Sequence, residues 1–236
     1  MRLNKFISST GYCSRRKADE LIIQGKVKVN GKIAELGLAV GPDDVVEVEG
    51  QKLKQKKNDV YIALNKPAGI TCTTERHVEG NIIDYIQHPE RIFPIGRLDK
   101  ESEGLILLTS DGDIVNEILR EENNYEKDYI VMVNKPITPA FIQGMSNGVE
   151  IYNPVKNEYT ITKKCKVVKL GERTFKITLS QGLNRQIRRM CSAFNYQVYK
   201  LQRIRVAHIT LEGIERGGWR DLTEEEVRKF KEATGN

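Results

Sequence analysis

The stretch PIGRLDKESEGLILLTSDG, residues 94–112, places a carboxylate, Asp99, shortly before an apolar run. Gly-Leu-Ile-Leu-Leu-Thr reads as a buried strand closed by a Ser-Asp-Gly turn. Arg97 and Asp99 are two residues apart, so in extended backbone they point the same way. Taken alone, the pair has two readings. It is a structural ion pair at a turn, the commoner use of such neighbours, or a charged group mounted on a rigid strand for chemistry. A second cluster, NRQIRRMCSAFN at residues 184–195, bears on the choice. Ile187, Met190, Cys191 and Phe194 recur at i, i+3, i+4 and i+7 and form the inner stripe of a helix. At about 100° per residue, Arg188 borders that stripe and is best placed to reach a partly buried carboxylate, whereas Arg185 and Arg189 point outward, toward solvent or phosphate. An ordinary amphipathic helix with a basic face has the same pattern.

Other chemistries have less support. Glu103 could pair with Asp99 as the two carboxyl groups of a glycoside hydrolase, but nothing else suggests a sugar site. The chain contains no GxGxxG after a strand, no GxxxxGK[ST], no HExxH and no GxSxG. Cys13, Cys72, Cys165 and Cys191 are far apart, as are His77, His88 and His208, so neither a metal site nor a disulfide framework is expected. The expectation is an enzyme that works without a metal or other cofactor, with four reduced cysteines and a cytoplasmic location. No apolar run reaches membrane-spanning length. The serine-rich, basic N-terminus has some character of a transit peptide, against which Asp19, Glu20 and its fold signal argue.

The elements that must position these residues begin with a basic block. The formal net charge is +6, and residues 1–32 carry eight Lys or Arg against two acids, which accounts for all of it. Charge concentrated in this way points to a polyanion, most simply nucleic acid. Leu3, Phe6 and Ile7 suggest one short helix, and Ser14 caps a second whose inner face is Ala18, Leu21 and Ile22. Arg15, Arg16 and Lys17 lie in its first turn, where cations oppose the helix dipole and a bound phosphate would relieve the conflict. KVKVNGKIA reads as a hairpin turning at Asn30-Gly31, and DDVVEVEG as a further strand. QKLKQKKND, residues 51–59, reads as a linker, which places a boundary near residue 59. The domains are then 1–59 and 60–236. In the larger one, strands are expected at 60–64, 104–109, 128–133, 159–169, 173–180 and from about 198, and helices at 111–120, 138–145, 184–195 and 223–233. The last helix opens on a Thr223/Glu226 capping box. Alternating strands such as Thr174–Leu179 favour an α+β fold, a largely antiparallel sheet with helices on one face.

Two resemblances sharpen this reading. RLNKFISSTGYCSRRKADELIIQGKVKVNGK resembles the S4 RNA-binding domain in its Leu-Asn-Lys opening, Ser14-Arg15-Arg16-Lys17-Ala18, the Gly25 turn and Val29-Asn30-Gly31. GRLDKESEGLILLTSDG is similar, over its whole length, to the signature of the RsuA/RluB/RluE/RluF-type rRNA pseudouridine synthases, with NKPAG, EKDYIVMV and GLNRQIRRM in the order that family shows. The resemblance implies a mixed, mainly antiparallel catalytic sheet with flanking helices behind an S4 domain, and isomerisation of a uridine in structured RNA, 23S rRNA above all, with tRNA as a further candidate. It implies Asp99 as the essential carboxylate, Tyr129 as the ring that stacks on the target uracil, and Arg188 as the cation paired with Asp99. Arg97 then fills the space left by the flipped nucleotide, while Lys5, Ser14, Arg15, Arg16, Lys17, Arg185 and Arg189 contact RNA. A monomer is expected. One departure is Leu183, where several relatives carry a cation after the motif glycine. The residues leave open whether Asp99 attacks C1′, adds to C6 or takes the C2′ proton.

Overall fold

The computed structural model describes residues 1–55, 58–120 and 123–233. It divides into two compact units, one of residues 1–60 with 88–92 and 109–112, the other of residues 61–87, 93–108 and 113 onward.

In the first unit, α1 (Leu3–Ser9) and α2 (Arg15–Ile23) cover a four-stranded sheet in the order β2-β1-β3-β4, with β1 Val27–Val29, β2 Lys32–Ile33, β3 Val46–Val48 and β4 Gln51–Lys52. Leu3, Ile7, Ala18, Leu21 and Ile22 pack on Val27, Val46 and Val48 to form its core. Ser14 caps α2 as expected: its Oγ accepts from the Lys17 amide at 3.1 Å. Asn30 and Gly31 both take positive φ, 52° and 78°, the turn whose twist matches a two-residue hairpin. The linker expected from residue 51 is corrected at its start. Gln51 and Lys52 pair with Val48 and Glu47, and the Leu53 amide donates to Val46, so the chain stays in the sheet beyond the Glu49-Gly50 turn. Residues 56 and 57 of that expected linker lie outside the described residues.

The second unit is a mixed sheet in the order β11-β12-β8-β13-β7-β5-β15. In chain order its elements are β5 (Tyr61–Lys66), α3 (Ile82–Ile86), β6 (Phe93–Ile95), β7 (Glu103–Thr109), α4 (Gly112–Leu119), β8 (Lys127–Val133), α5 (Pro139–Ser146), β9 (Glu150–Asn153), β10 (Glu158–Ile161), β11 (Lys166–Gly171), β12 (Thr174–Leu179), α6 (Gln186–Ala193), β13 (Val198–Val206), β14 (Ile209–Thr210), β15 (Trp219–Asp221) and α7 (Glu224–Ala233). Antiparallel ladders join β11–β12, β12–β8, β8–β13 and β15–β5, whereas β13 and β7 run parallel. Helices α5 and α6 pack Phe141, Met145, Ile187, Met190 and Cys191 on Tyr129, Val131, Phe175 and Ile177. Ile114 and Ile118 of α4 and Phe230 of α7 cluster with Tyr61, Ala63, Leu105 and Leu107.

Two expectations need correction. Every residue of β5 and β7 is buried, so the sheet is covered on both faces at these two strands and not on one. The strand expected over 159–169 breaks into β10 and β11. Between them the Thr162 amide donates to Val149, Thr162 Oγ1 accepts from the Val149 amide, and the Lys163 amide donates to Gln181 Oε1, so these groups leave the ladder. Where β7 meets β13, Gly104 has φ +104°, and a Cβ there would stand 2.2 Å from the Arg203 carbonyl oxygen. Only glycine lets the two strands approach this closely.

The capping box at α7 forms as the sequence predicts. The Thr223 amide donates to Glu226 Oε2 at 2.8 Å, and the Glu226 amide donates to Thr223 Oγ1 at 3.2 Å. Arg220 adds a bidentate pair to the same carboxylate, both bonds at 2.8 Å. The Arg220 hydrogen bonds lead in holding the Glu226 carboxyl down at about 2, against the pull of its burial. A carboxyl depressed in the folded state stabilises fully above its unfolded pKa, ordinarily about 4.3, and this is lost as pH falls toward 2. The Glu226→Gln variant should therefore lose roughly 2 kcal/mol at pH 7 and show a flatter decline in thermal stability between about pH 4.5 and 2. Parallel pH profiles for the two proteins would refute this coupling.

Candidate active site

A cavity of about 670 Å³ opens in the second unit, lined among others by Arg97, Leu98, Asp99, Ser102, Tyr129, Leu183, Arg185, Arg188, Leu201 and Arg203. Its size suits one nucleotide-sized ligand. Asp99 is one-third exposed (32%) in the turn between β6 and β7, and its carbonyl accepts from the Ser102 amide at 3.0 Å. Arg188, on α6, is only 14% exposed and donates from Nη2 to Ser102 Oγ at 3.0 Å, while its Nε stands 3.7 Å from Asp99 Oδ2. That buried Nε has no hydrogen-bond partner among the described residues. Arg185 Nη1 is also 3.7 Å from Asp99 Oδ2. The carboxylate thus has two guanidiniums beside it, neither in direct hydrogen-bond contact, in a space open to a ligand.

The arginine helix is only partly as expected. Ile187, Met190 and Cys191 are buried, with Phe194 partly so, and Arg188 reaches Asp99. Arg185, expected to point outward, is exposed but also reaches the carboxylates: it takes the left-handed conformation at the N-cap, φ 49°, and pairs with Glu101 as well as approaching Asp99. The helical angle that put it on the outer face does not apply to a residue outside the helix. Arg189 folds onto Asn184, donating to its carbonyl at 3.0 Å and to Oδ1 at 3.1 Å. The Arg97–Asp99 ion pair does not form among the described residues. Arg97–Lys100 lies outside any strand, so no strand alternation aligns the two side chains. Arg97 lines the cavity as an exposed residue.

Several residues that hold this geometry carry no functional signal in the sequence beyond their place in a motif. Lys66, at the end of β5, is fully buried, and its Nζ donates to the carbonyls of Pro67 (3.0 Å), Ile70 (2.9 Å) and Lys100 (3.3 Å). The Gly69 amide donates to the same Lys100 carbonyl at 2.7 Å. NKPAG therefore clamps the residue next to Asp99. Burial pushes the Lys66 ammonium below its ordinary pKa. Glu101 is held below the usual carboxylate range. Burial opposes this, but hydrogen bonds from its own amide and Arg185, with the charges of Arg185 and Arg188, outweigh it. The α6 entry is fixed by Gln186, whose Oε1 accepts from the Leu183 amide at 3.1 Å and whose Nε2 donates to Gln181 Oε1 at 3.2 Å. The signal for these residues was their place inside NKPAG, RLDKES and QGLNRQ, but a buried lysine and two buried glutamines cannot be told from surface ones by type.

Tyr129 is buried on β8 and lines the cavity, directly opposite Arg203 of β13 in register. Glu103 does not line it. Its carboxylate is 8% exposed and neutralised by Lys200 (2.6 Å) and Arg216 (3.2 Å), so the glycosidase pairing with Asp99 is absent. Burial pushes the thiols of Cys165 and Cys191 up to about 11 and about 12, which leaves them protonated and unreactive. Among the described residues no cluster of three or more metal-ligating side chains occurs, and no helix is long and apolar enough to cross a membrane. In the first unit Arg15, Arg16 and Lys17 are exposed, and Lys17 pairs with Glu20 at 2.9 Å, so its charge is partly compensated at the helix start. Lys5 is half-buried on α1, and Ser14 Oγ is engaged as the α2 cap.

Residues 60–193 match the family model described as RNA pseudouridylate synthase. The chain belongs to that family. Residues 1–46 match the S4 domain. The chain is 55% identical over 229 residues to the dual-specificity RNA pseudouridine synthase RluF of Escherichia coli strain K12, covering 96% of this chain and 77% of that one. It is 35% identical over 237 residues to ribosomal large subunit pseudouridine synthase B of Bacillus subtilis strain 168, covering 98% and 95%. A crystal structure of a pseudouridylate synthase superposes with a TM-score of 0.70 at 29% identity, covering 98% of this chain and 99% of that one. The protein is accordingly an RNA pseudouridine synthase with an S4 domain, as the motifs implied.

In this pseudouridine synthase the clamp around Lys66 makes a clear demand. Lys66→Met keeps much of the volume but leaves the carbonyls of Pro67 and Ile70 without their donor and the Lys100 carbonyl with the Gly69 amide alone. It should destabilise the fold by about 3 kcal/mol, read as a lower urea midpoint at constant slope. An unchanged midpoint would show that Lys66 does not hold the Asp99 turn.

Proposed function

We propose that the protein converts a specific uridine of 23S rRNA to pseudouridine, with a tRNA stem-loop as a second substrate, using Asp99 as the reacting carboxylate. The observation that supports this best is the carboxylate standing between two guanidiniums in a nucleotide-sized cavity, with a buried tyrosine ring in its wall. The names of the two relatives, one dual-specificity and one acting on the large ribosomal subunit, agree with this substrate range. Residues 1–59 would serve as the RNA-docking domain and residues 60–236 as the catalytic domain of a cytoplasmic monomer.

The reaction breaks the N1–C1′ bond, turns the uracil and joins C5 to C1′. The proton lost from C5 is balanced by one gained at N1, so no electrons enter or leave. Reaching the glycosidic bond requires the nucleotide to leave its stack, at a cost of a few kcal/mol. Tyr129 offsets that cost by stacking on the base, and Arg97, at the exposed edge of the cavity, occupies the vacated space. All routes use Asp99 as a carboxylate, and Arg188 and Arg185 place two cations 3.7 Å from it. Arg188 is held by Ser102, so its Nε is free to follow the carboxylate through the reaction. Arg185 and Arg189 contact RNA at the cavity rim, and Lys5, Ser14, Arg15, Arg16 and Lys17 contribute to the docking face.

Two measurements test this reading. Asp99→Asn should reduce tritium release from C5-labelled uridine in 23S rRNA by about a thousandfold or more, with RNA affinity unchanged within a few-fold; wild-type turnover would refute the assignment. Arg15→Glu combined with Arg16→Glu should weaken rRNA binding and reduce the slope of log K against log[salt] by about 0.7–0.9 for each phosphate that is no longer neutralised. An unaltered slope would remove the S4 unit as the docking surface.

A further inference from the structure

Arg203 is the least explained charge in the molecule. It is 95% buried (5% exposed), yet no carboxylate pairs with it among the described residues. Its Nε donates to the Leu105 carbonyl at 2.7 Å, which fixes the guanidinium against β7. The two Nη groups have no hydrogen-bond partner among the described residues, and the side chain lines the Asp99 cavity. Arg188 Nε is both buried and unpartnered among the described residues, whereas the Arg203 Nη groups, unpartnered but not sealed off, reach the open space of the cavity. A ligand bringing an oxygen acceptor into this cavity would meet two donors that the protein leaves unpaired.

The sheet register indicates which part of the ligand that is. Arg203 lies directly opposite Tyr129, and directly opposite residues present their side chains on one face, with Cβ atoms about 4.5–5.5 Å apart. Leu201, two residues earlier on β13, lines the same cavity. A ring stacked on Tyr129 thus has its edge next to Arg203. Phosphates are the less suitable partner here. A base enters a pocket ahead of its backbone, and the exposed cations are elsewhere: the Arg185 side chain is 40% exposed, whereas Arg203 lies at the floor.

We propose that Arg203 is a base-positioning residue, whose Nη groups donate to a ring carbonyl of the flipped uracil and hold the ring in place. This rests on the reading of the cavity as the target-base pocket. A contact at the C4 carbonyl excludes cytosine, which presents an amino group there and would set donor against donor. A contact at the C2 carbonyl orients the ring without discriminating between the two bases. Gly104 supports the arrangement, because its missing side chain lets the Arg203 backbone sit against β7 and places the guanidinium at the Leu105 carbonyl.

The test is a chemical double-mutant cycle. Wild-type enzyme and Arg203→Met act on synthetic stem-loops bearing, at the uridine mapped in wild-type rRNA, 5-tritiated uridine, 2-thiouridine or 4-thiouridine. Sulfur is the poorer acceptor, so one thio-substitution should slow the wild-type enzyme at least fivefold. Arg203→Met should lower kcat on uridine by tenfold or more, with KM for RNA unchanged within threefold, and should show no further loss with that same thio-substrate. Arg203→Lys, which keeps the charge, enters the same cycle if the methionine variant fails to fold. Additive losses at both carbonyls overturn the proposal and leave Arg203 a structural residue. Turnover surviving Asp99→Asn overturns the cavity reading instead, so the two failures are distinct.

Discussion

Lys66 puts a positive charge where no solvent reaches it, and the segments that satisfy that charge are those that carry the site. Its ammonium collects three carbonyls, two from the turn after β5 and one from Lys100. An isolated charge in such surroundings would be far too costly to keep. The cost is met only if those carbonyls converge, which fixes the main chain immediately beyond Asp99. From there the constraint spreads. Ser102 ends the turn, takes a hydrogen bond from Arg188, and so ties α6 to the same few residues. The carboxylate and its guanidiniums come from segments more than eighty residues apart, and their geometry depends on this small set of polar contacts.

The arrangement suits a group that must be both ionised and reactive. A carboxylate in direct bidentate contact with arginine would be charged but engaged. At 3.7 Å from Arg185 and Arg188, Asp99 has two cations beside it while its oxygens remain available. Glu101 takes up the direct pairing with Arg185. Asp128, one residue before Tyr129, shows the contrasting use of the same chemistry: with Lys176 at 2.8 Å, Arg205 at 2.8 Å and Thr178 at 2.8 Å its hydrogen bonds overcome the burial that would raise its pKa, and it is fully engaged. One carboxylate secures the sheet and the other is left free for chemistry.

Much of this was legible in the chain. The S4 helices, their Ser14 cap and the Asn30-Gly31 turn rest on local rules, and each formed where expected. The strand after Asp99, the helix carrying Arg188 and the α7 capping box were equally clear. Less legible were the short elements, such as α3, β6, β9 and β15, whose few residues carry too little periodicity to stand out. The break at 162–165 arises from hydrogen bonds to residues far along the chain, so no local pattern announces it.

What the sequence determined by itself was the kind of chemistry and its raw materials: a basic block for RNA, a carboxylate next to a rigid apolar strand, and an arginine on the correct side of a helix. These follow from residue type and period, which are local properties. Tertiary structure alone decided which cation meets which anion. It denied Asp99 its neighbour Arg97, because residues 97–100 lie outside any strand, and gave it Arg185, because a left-handed residue leaves the helical angle behind. It also turned Lys66 into a clamp and left Arg203 buried with open donors beside Tyr129. Charge pairing depends on distances of a few ångströms between remote segments, and only the folded sheet sets those distances.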